Sequence, residues 1–200
     1  MTTTKLCLSP TDHGRPITDE ELRSADFVGT YKYEIINGRV YVSAEPDPDE
    51  NALELWLYDR LRDYTRACPG VLNYVMNKSR VFVHCRKRST IPEPDIAAFV
   101  DYPLDRRLKG LKWSEVSPVL VSEVLMGKAE QDLVRNVKLY LAVPSIQEYW
   151  VLDGRDNAEK PTLIQHRRSG KRWLVKPVPF GATLTTKLLP GFPLLIDPLK

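Results

Sequence analysis

The chain is poor in the residues that most often mark a soft-metal or redox centre. Among 200 residues there are 3 histidines and 3 cysteines. Cys7, Cys68 and Cys85 are odd in number and widely spaced, so no disulfide framework is expected and no pair has zinc-ligand spacing. Long hydrophobic runs are missing, and no stretch is apolar for long enough to span a bilayer as a helix. Met1 to Pro10 carries one lysine and no apolar core, so it does not read as a signal peptide. A reducing cytoplasm is the expected setting. Charge of one sign is scarce too: 29 Lys and Arg against 26 Asp and Glu leave +3, too little to argue for nucleic acid on net charge alone. Repeats and low-complexity tracts are absent. What remains is a globular chain long enough to bury one core. The expected organisation is a flexible N-terminal arm over 1–16 and a single domain over 17–200.

Local signals within that domain alternate between helix and strand. Thr18-Asp19-Glu20-Glu21 forms a capping box that starts a short helix ending near Asp26. Tyr31 to Ile36 and Arg39 to Ser43 are two β-prone runs around Asn37-Gly38, the turn pair that tolerates positive φ at both positions. From about Asp49 to Arg66 the period changes. Leu53, Trp56, Leu57, Leu61 and Tyr64 recur at helical spacing, and Pro69-Gly70 ends the helix. Strands are predicted near 71–77 and 80–85, and another starts at Asp95. Residues 101–117 form a charged connection. Val119 to Leu125 is a strand, followed by a helix from about Ala129 to Leu141. Gln147 to Leu152 is a strand, and a hairpin turns at Ser169-Gly170. This order predicts an α/β domain with a mixed β-sheet flanked by α-helices.

Two acids stand out because of where they fall. Val119-Leu120-Val121-Ser122-Glu123-Val124-Leu125 is apolar enough to be covered on both faces, yet it contains Glu123. A lone carboxylate there costs several kcal/mol, so Glu123 is neutral, paired or bound to a cation. Asp95 opens a second apolar strand, Ile96-Ala97-Ala98-Phe99-Val100, directly after Pro94. If the two strands are neighbours, Asp95 and Glu123 meet at one sheet end and suit Mg²⁺ or Mn²⁺, which prefer oxygen ligands. Glu34 in the first hairpin would add a third carboxylate. The competing explanation is structural, with each acid facing its own arginine.

The ordered set of segments carries a resemblance. Tyr33-Glu34-Ile35-Ile36-Asn37-Gly38, Pro94-Asp95, Val121-Ser122-Glu123-Val124-Leu125, Asp132-Leu133-Val134-Arg135-Asn136 with Tyr140, Val143 to Asp153 and Leu189-Pro190-Gly191-Phe192 follow one another over most of the chain. In that order and spacing they resemble the Uma-type family of restriction endonucleases, within the PD-(D/E)xK nuclease superfamily. The resemblance implies a restriction-endonuclease-like fold and Mg²⁺- or Mn²⁺-dependent hydrolysis of DNA phosphodiester bonds. It also implies Asp95 and Glu123 as metal-binding acids, Glu34 as an assisting acid, and pairing of two copies as a homodimer.

The chain departs from that pattern at its lysines. The superfamily position two residues after the second acid is Leu125, and the position many relatives use, four after Asp132, is Asn136. Met126 stands where many relatives have serine, and Asn51 lies near the place of a histidine common in the long helix. Lys128 is the remaining candidate for the catalytic lysine, against the plainer role of a solvated surface residue. These departures motivate a second hypothesis, a catalytically inactive nuclease-fold module that binds DNA or a protein partner. Arg86-Lys87-Arg88, Arg106-Arg107 and Arg167-Arg168…Lys171-Arg172 are candidate phosphate contacts, although charge runs in loops are more often plain surface. Tyr149-Trp150 is expected in the core.

Overall fold

The fold is that of a computed structural model, which describes residues 5–84, 86–107, 109–127 and 131–200. Strand β1, Cys7–Leu8, pairs in parallel with β2, Asp26–Phe27, and helix α1, Asp19–Ser24, lies between them in sequence. Thr18 and Glu21 make the capping box that the sequence predicts. Residues 5–16, part of the arm expected over 1–16, pack on the domain: Leu8 is fully buried, and Gly14 and Arg15 share backbone hydrogen bonds with Val40. The apolar side chain of Leu8 packs with Tyr33, Ile35 and Ile91, which is why the segment is held.

The first hairpin joins β3, Tyr31–Ile36, to β4, Arg39–Ala44, in the register set by Asn37 and Gly38. Both turn residues have positive φ, 51° and 70°, as a two-residue turn of this kind requires. Helix α2, Pro48–Ala67, is capped by Asp47, whose carboxylate accepts from the N–H groups of Asp49 and Glu50. Its buried stripe, Leu53, Leu57, Leu61 and Tyr64, matches the predicted face.

The centre is a six-stranded sheet. Its strands are β5, Tyr74–Asn77; β6, Ile96–Phe99; β7, Leu120–Leu125; β8, Glu148–Asp153; β9, Thr162–Ser169; and β10, Arg172–Val178. The order is β10-β9-β8-β7-β6-β5, and only β7 and β8 run parallel. The segment 80–85, predicted as a strand, is not one among its described residues. Val81 and Val83 hydrogen bond to Pro92 and Thr90 across a loop instead. Alternation of Val81 and Val83 mimics a strand because both side chains are buried there.

Alternate residues of β7 face opposite layers. Leu120 and Val124 pack with the α2 stripe, while Val121 and Leu125 pack with Leu139, Tyr140 and Val143. Both faces are therefore covered, as its composition predicts. The layer on the Glu123 side is a π-helical turn, Gln131–Asn136, running into helix α3, Val137–Leu141. Short strands β11, Thr183–Leu184, and β12, Leu194–Leu195, close the C-terminal segment over the α2 side. Among the described residues no helix is long and apolar enough to cross a membrane.

Arg168 is not a phosphate contact. Its guanidinium donates to the carbonyls of Tyr140, Leu141, Val143 and Ile146 and so caps the end of α3. The last carbonyls of a helix lack intrahelical partners, and a cation there also complements the helix dipole. Arg168→Met should destabilise the protein by about 1–3 kcal/mol. Arg167→Met, next door and exposed, should stay within about 0.5 kcal/mol. Urea unfolding of the two variants checks the contrast.

Candidate functional site

Asp95 precedes β6, and Glu123 lies in the adjacent strand β7, where Ile96 pairs with Ser122. The backbone N–H of Val124 donates to Asp95 Oδ2 at 2.8 Å. That bond ties the two strands where their ladder ends and fixes the Asp95 carboxylate beside Glu123. Glu123 Oε1 accepts from Tyr140 Oη at 2.7 Å and from Asn136 Nδ2 at 3.0 Å. One oxygen of each acid is thus held by neutral or backbone donors. The other oxygens share a cation: Lys32 Nζ lies 2.8 Å from Asp95 Oδ1 and 3.3 Å from Glu123 Oε2. Glu123 is only 2 % exposed. The pair is therefore neither far apart nor clasped by arginines, and one ammonium serves both.

Lys32 reaches this point from the first hairpin. In β3 it alternates with Tyr33, so Lys32 and Glu34 share one face of the strand while Tyr33 and Ile35 pack on the other layer. Glu34 does not join the acid pair. Arg135 and Gln131 donate to its Oε2, the former at 2.5 Å, and the Glu93 N–H donates to Oε1 at 3.3 Å. Glu34, expected from the sequence as an assisting acid, ties the π-turn to the hairpin through these bonds. Lys128 lies outside the described residues.

The π-turn faces four side chains toward these acids. Gln131 and Arg135 meet Glu34, and Asn136 bridges Glu123 and Asp132, with Nδ2 3.0 Å from each carboxylate. The wider turn is held from below by Tyr149, whose hydroxyl donates to the Asp132 carbonyl at 2.9 Å. Single π-turns concentrate at functional sites because they realign side chains that an α-helix would spread.

Burial and mutual repulsion set the electrostatics. Burial pushes Glu123 well above the ordinary carboxylate range; Lys32 opposes that, and Asp95, Asp132 and Glu34 reinforce it. Burial also raises Asp132 to about 7, again opposed by Lys32 and reinforced by Asp95. Burial alone would lower Lys32, but Asp95, Glu123 and Glu34 outweigh it and hold the ammonium well above its ordinary value. On the opposite wall Glu54, 6 % exposed, is raised to about 7, by burial first and then by Asp95. These groups line a cleft of 360 Å³ between the hairpin, α2 and the ends of β6 and β7.

The model of the Uma2 family, described as "Putative restriction endonuclease", matches residues 19–197. The chain belongs to the Uma2 family. Among solved structures it is similar to a putative nuclease belonging to DUF820 from Anabaena variabilis, with a TM-score of 0.66 and 15% identity over 90% of this chain and 96% of that one. At that identity the likeness speaks for the fold, and the restriction-endonuclease-like mixed sheet flanked by helices is the fold observed. No curated protein matches.

Sequence reasoning brought Asp95 and Glu123 together but missed Lys32, Asn136 and Tyr140 as partners of Glu123. Asn136 and Tyr140 recur four residues apart after Asp132, a helical spacing aimed at one neighbour. Lys32 sits two residues before Glu34, so it shares the face of an acid already singled out.

Glu54 gives the pH test. Its folded pKa of about 7 lies above the ordinary 4.5. The unfolded chain therefore loses this proton first, and stability from Glu54 is present at low pH and lost as pH rises toward 7. Relative to wild type, Glu54→Gln should gain stability between pH 5 and 8, by no more than about 1.4 kcal/mol per pH unit. Urea midpoints at the two pH values measure it.

Proposed function

We propose that this chain is a divalent-metal-dependent endonuclease that hydrolyses DNA phosphodiester bonds. The observation that carries the reading is the convergence of Asp95 and Glu123 on one cation position at the rim of an apolar sheet, 2.8 and 3.3 Å from a single ammonium nitrogen. The family's description and the fold point the same way.

The donor set fits Mg²⁺ or Mn²⁺. Asp95 and Glu123 offer hard carboxylate oxygens, and the cleft has no histidine or cysteine among its lining residues. Among the described residues no group of three or more His, Cys, Asp or Glu is arranged to hold a metal ion. Two carboxylates are nevertheless what Mg²⁺ commonly takes from a protein when waters and substrate phosphate complete its shell. When bound, such an ion supplies charge stabilisation at the phosphate and a more acidic water.

The chain's own residues do the positioning. The Val124 N–H fixes Asp95, and Asn136 with Tyr140 fixes Glu123 through Oε1 alone, so that Oδ1 and Oε2 stay available. Glu34 and Arg135 hold the π-turn against the hairpin. In the reaction a water oxygen bonds to phosphorus, the ester P–O bond breaks, and the proton lost by the water balances the charge on the departing oxygen.

The competing reading is a fold that binds DNA or a protein partner without cutting, favoured by Leu125 and Asn136 at positions where lysine is usual. Plasmid nicking with Mg²⁺ or Mn²⁺ separates the two. Wild type should nick. Asp95→Asn should lose more than the roughly 10–100-fold typical of removing a partner of a metal ligand. Equal nicking by both removes Asp95 from the site, and DNA binding that ignores EDTA with no cleavage supports the silent module.

A further inference from the structure

We propose that Lys32 is the catalytic lysine of this site, delivered by the first hairpin from before the acids in sequence. The proposal rests on the nuclease reading and names the residue that would hold the reacting phosphate.

Among the described residues, Lys32 is the side chain whose hydrogen bonds reach both acids. Its Nζ is 2.8 Å from Asp95 Oδ1 and 3.3 Å from Glu123 Oε2. An ammonium carries three N–H donors, and these two acceptors leave one for a further anion. The side chain is 22% exposed and lines the cleft, so that donor has access to a ligand there. Lys78 also lines the cleft but is 63% exposed and 3.7 Å from Glu45, away from the acid pair. Leu125 offers no charge, and Asn136 is neutral although its Nδ2 lies 3.0 Å from Glu123.

The position of Lys32 is fixed by backbone pairing. Lys32 lies opposite Ser43 in the hairpin, Ile35 bridges to Ile91, and Ile91 leads through Pro92 to Asp95. The hairpin and the segment that bears Asp95 are therefore one connected unit, which fixes the lysine's backbone beside the acids and leaves its long side chain able to swing. Lys32 lies between the two carboxylates and offsets part of their repulsion. With a divalent ion held by Asp95 and Glu123, the Lys32 ammonium would be free to pair with a phosphate oxygen.

The test uses the full chain, a supercoiled plasmid and Mn²⁺. Lys32→Met should lose nicking by at least about 100-fold, the scale of deleting one transition-state donor. It should bind Mn²⁺ at least as tightly as wild type by calorimetry, since a competing positive charge is gone. Adding Asn136→Lys should restore nicking, because a lysine at 136 starts beside Glu123. Lys138→Met, on an exposed position, is the charge-matched control and should leave nicking unchanged. Lys32→Met that nicks like wild type overturns the proposal, and so does Lys32→Met that loses Mn²⁺ binding along with nicking. If Lys32→Met does not fold, Lys32→Gln keeps a neutral donor between the acids; nicking by it at the wild-type rate overturns the proposal. A wild type that cuts nothing with either metal sinks the nuclease reading itself, and this role with it.

Discussion

Two carboxylates that face each other inside an apolar sheet need a shared proton or a positive charge between them. Asp95 and Glu123 are such a pair at the ends of β6 and β7, and Lys32 supplies the charge. A buried acid left alone becomes protonated or unfolds its surroundings. Much of the nearby structure meets that constraint. The hairpin docks so that Lys32 arrives, Val124 lends its N–H to Asp95, and the π-turn aligns Asn136 with Glu123. The second ion pair, Glu34 with Arg135, locks the hairpin to the π-turn and so keeps the first pair assembled.

On the proposed reading the same geometry links fold to chemistry: oxygen ligands already gathered around one cation would be pre-organised for another of higher charge. The groups around it are set near neutrality. Burial and then the neighbouring Asp95 raise both Asp132 and Glu54 to about 7.

Much of this was legible in the sequence, for identifiable reasons. Glu123 stood out because its neighbours are apolar on both sides, and Asp95 because it opens a strand after a proline. Asn37-Gly38 set the hairpin register without help from the rest of the chain. Lys32 was not legible in that way. It is 63 residues from Asp95 and 91 from Glu123, so only the docking of the hairpin brings it in, from before the acids and not from the strand or helix after them. Alternation along β3 held the clue, since Lys32 and Glu34 share a face. The π-turn was not legible because Asp132, Asn136 and Tyr140 keep a helical spacing that reads as an ordinary α-helix, and nothing local marks the wider turn. Arg168 looked like surface charge, because a helix end needing a cap from another strand leaves no trace in local sequence.

Locating a bound ion tests the central claim most directly. In a crystal of the wild type soaked with Mn²⁺, anomalous density should appear between Asp95 Oδ1 and Glu123 Oε2, with ligand distances of roughly 2.0–2.2 Å, and Lys32 Nζ should move away from at least one of the two oxygens. An intact lysine bridge with no density there, or density bound elsewhere in the chain, would contradict it.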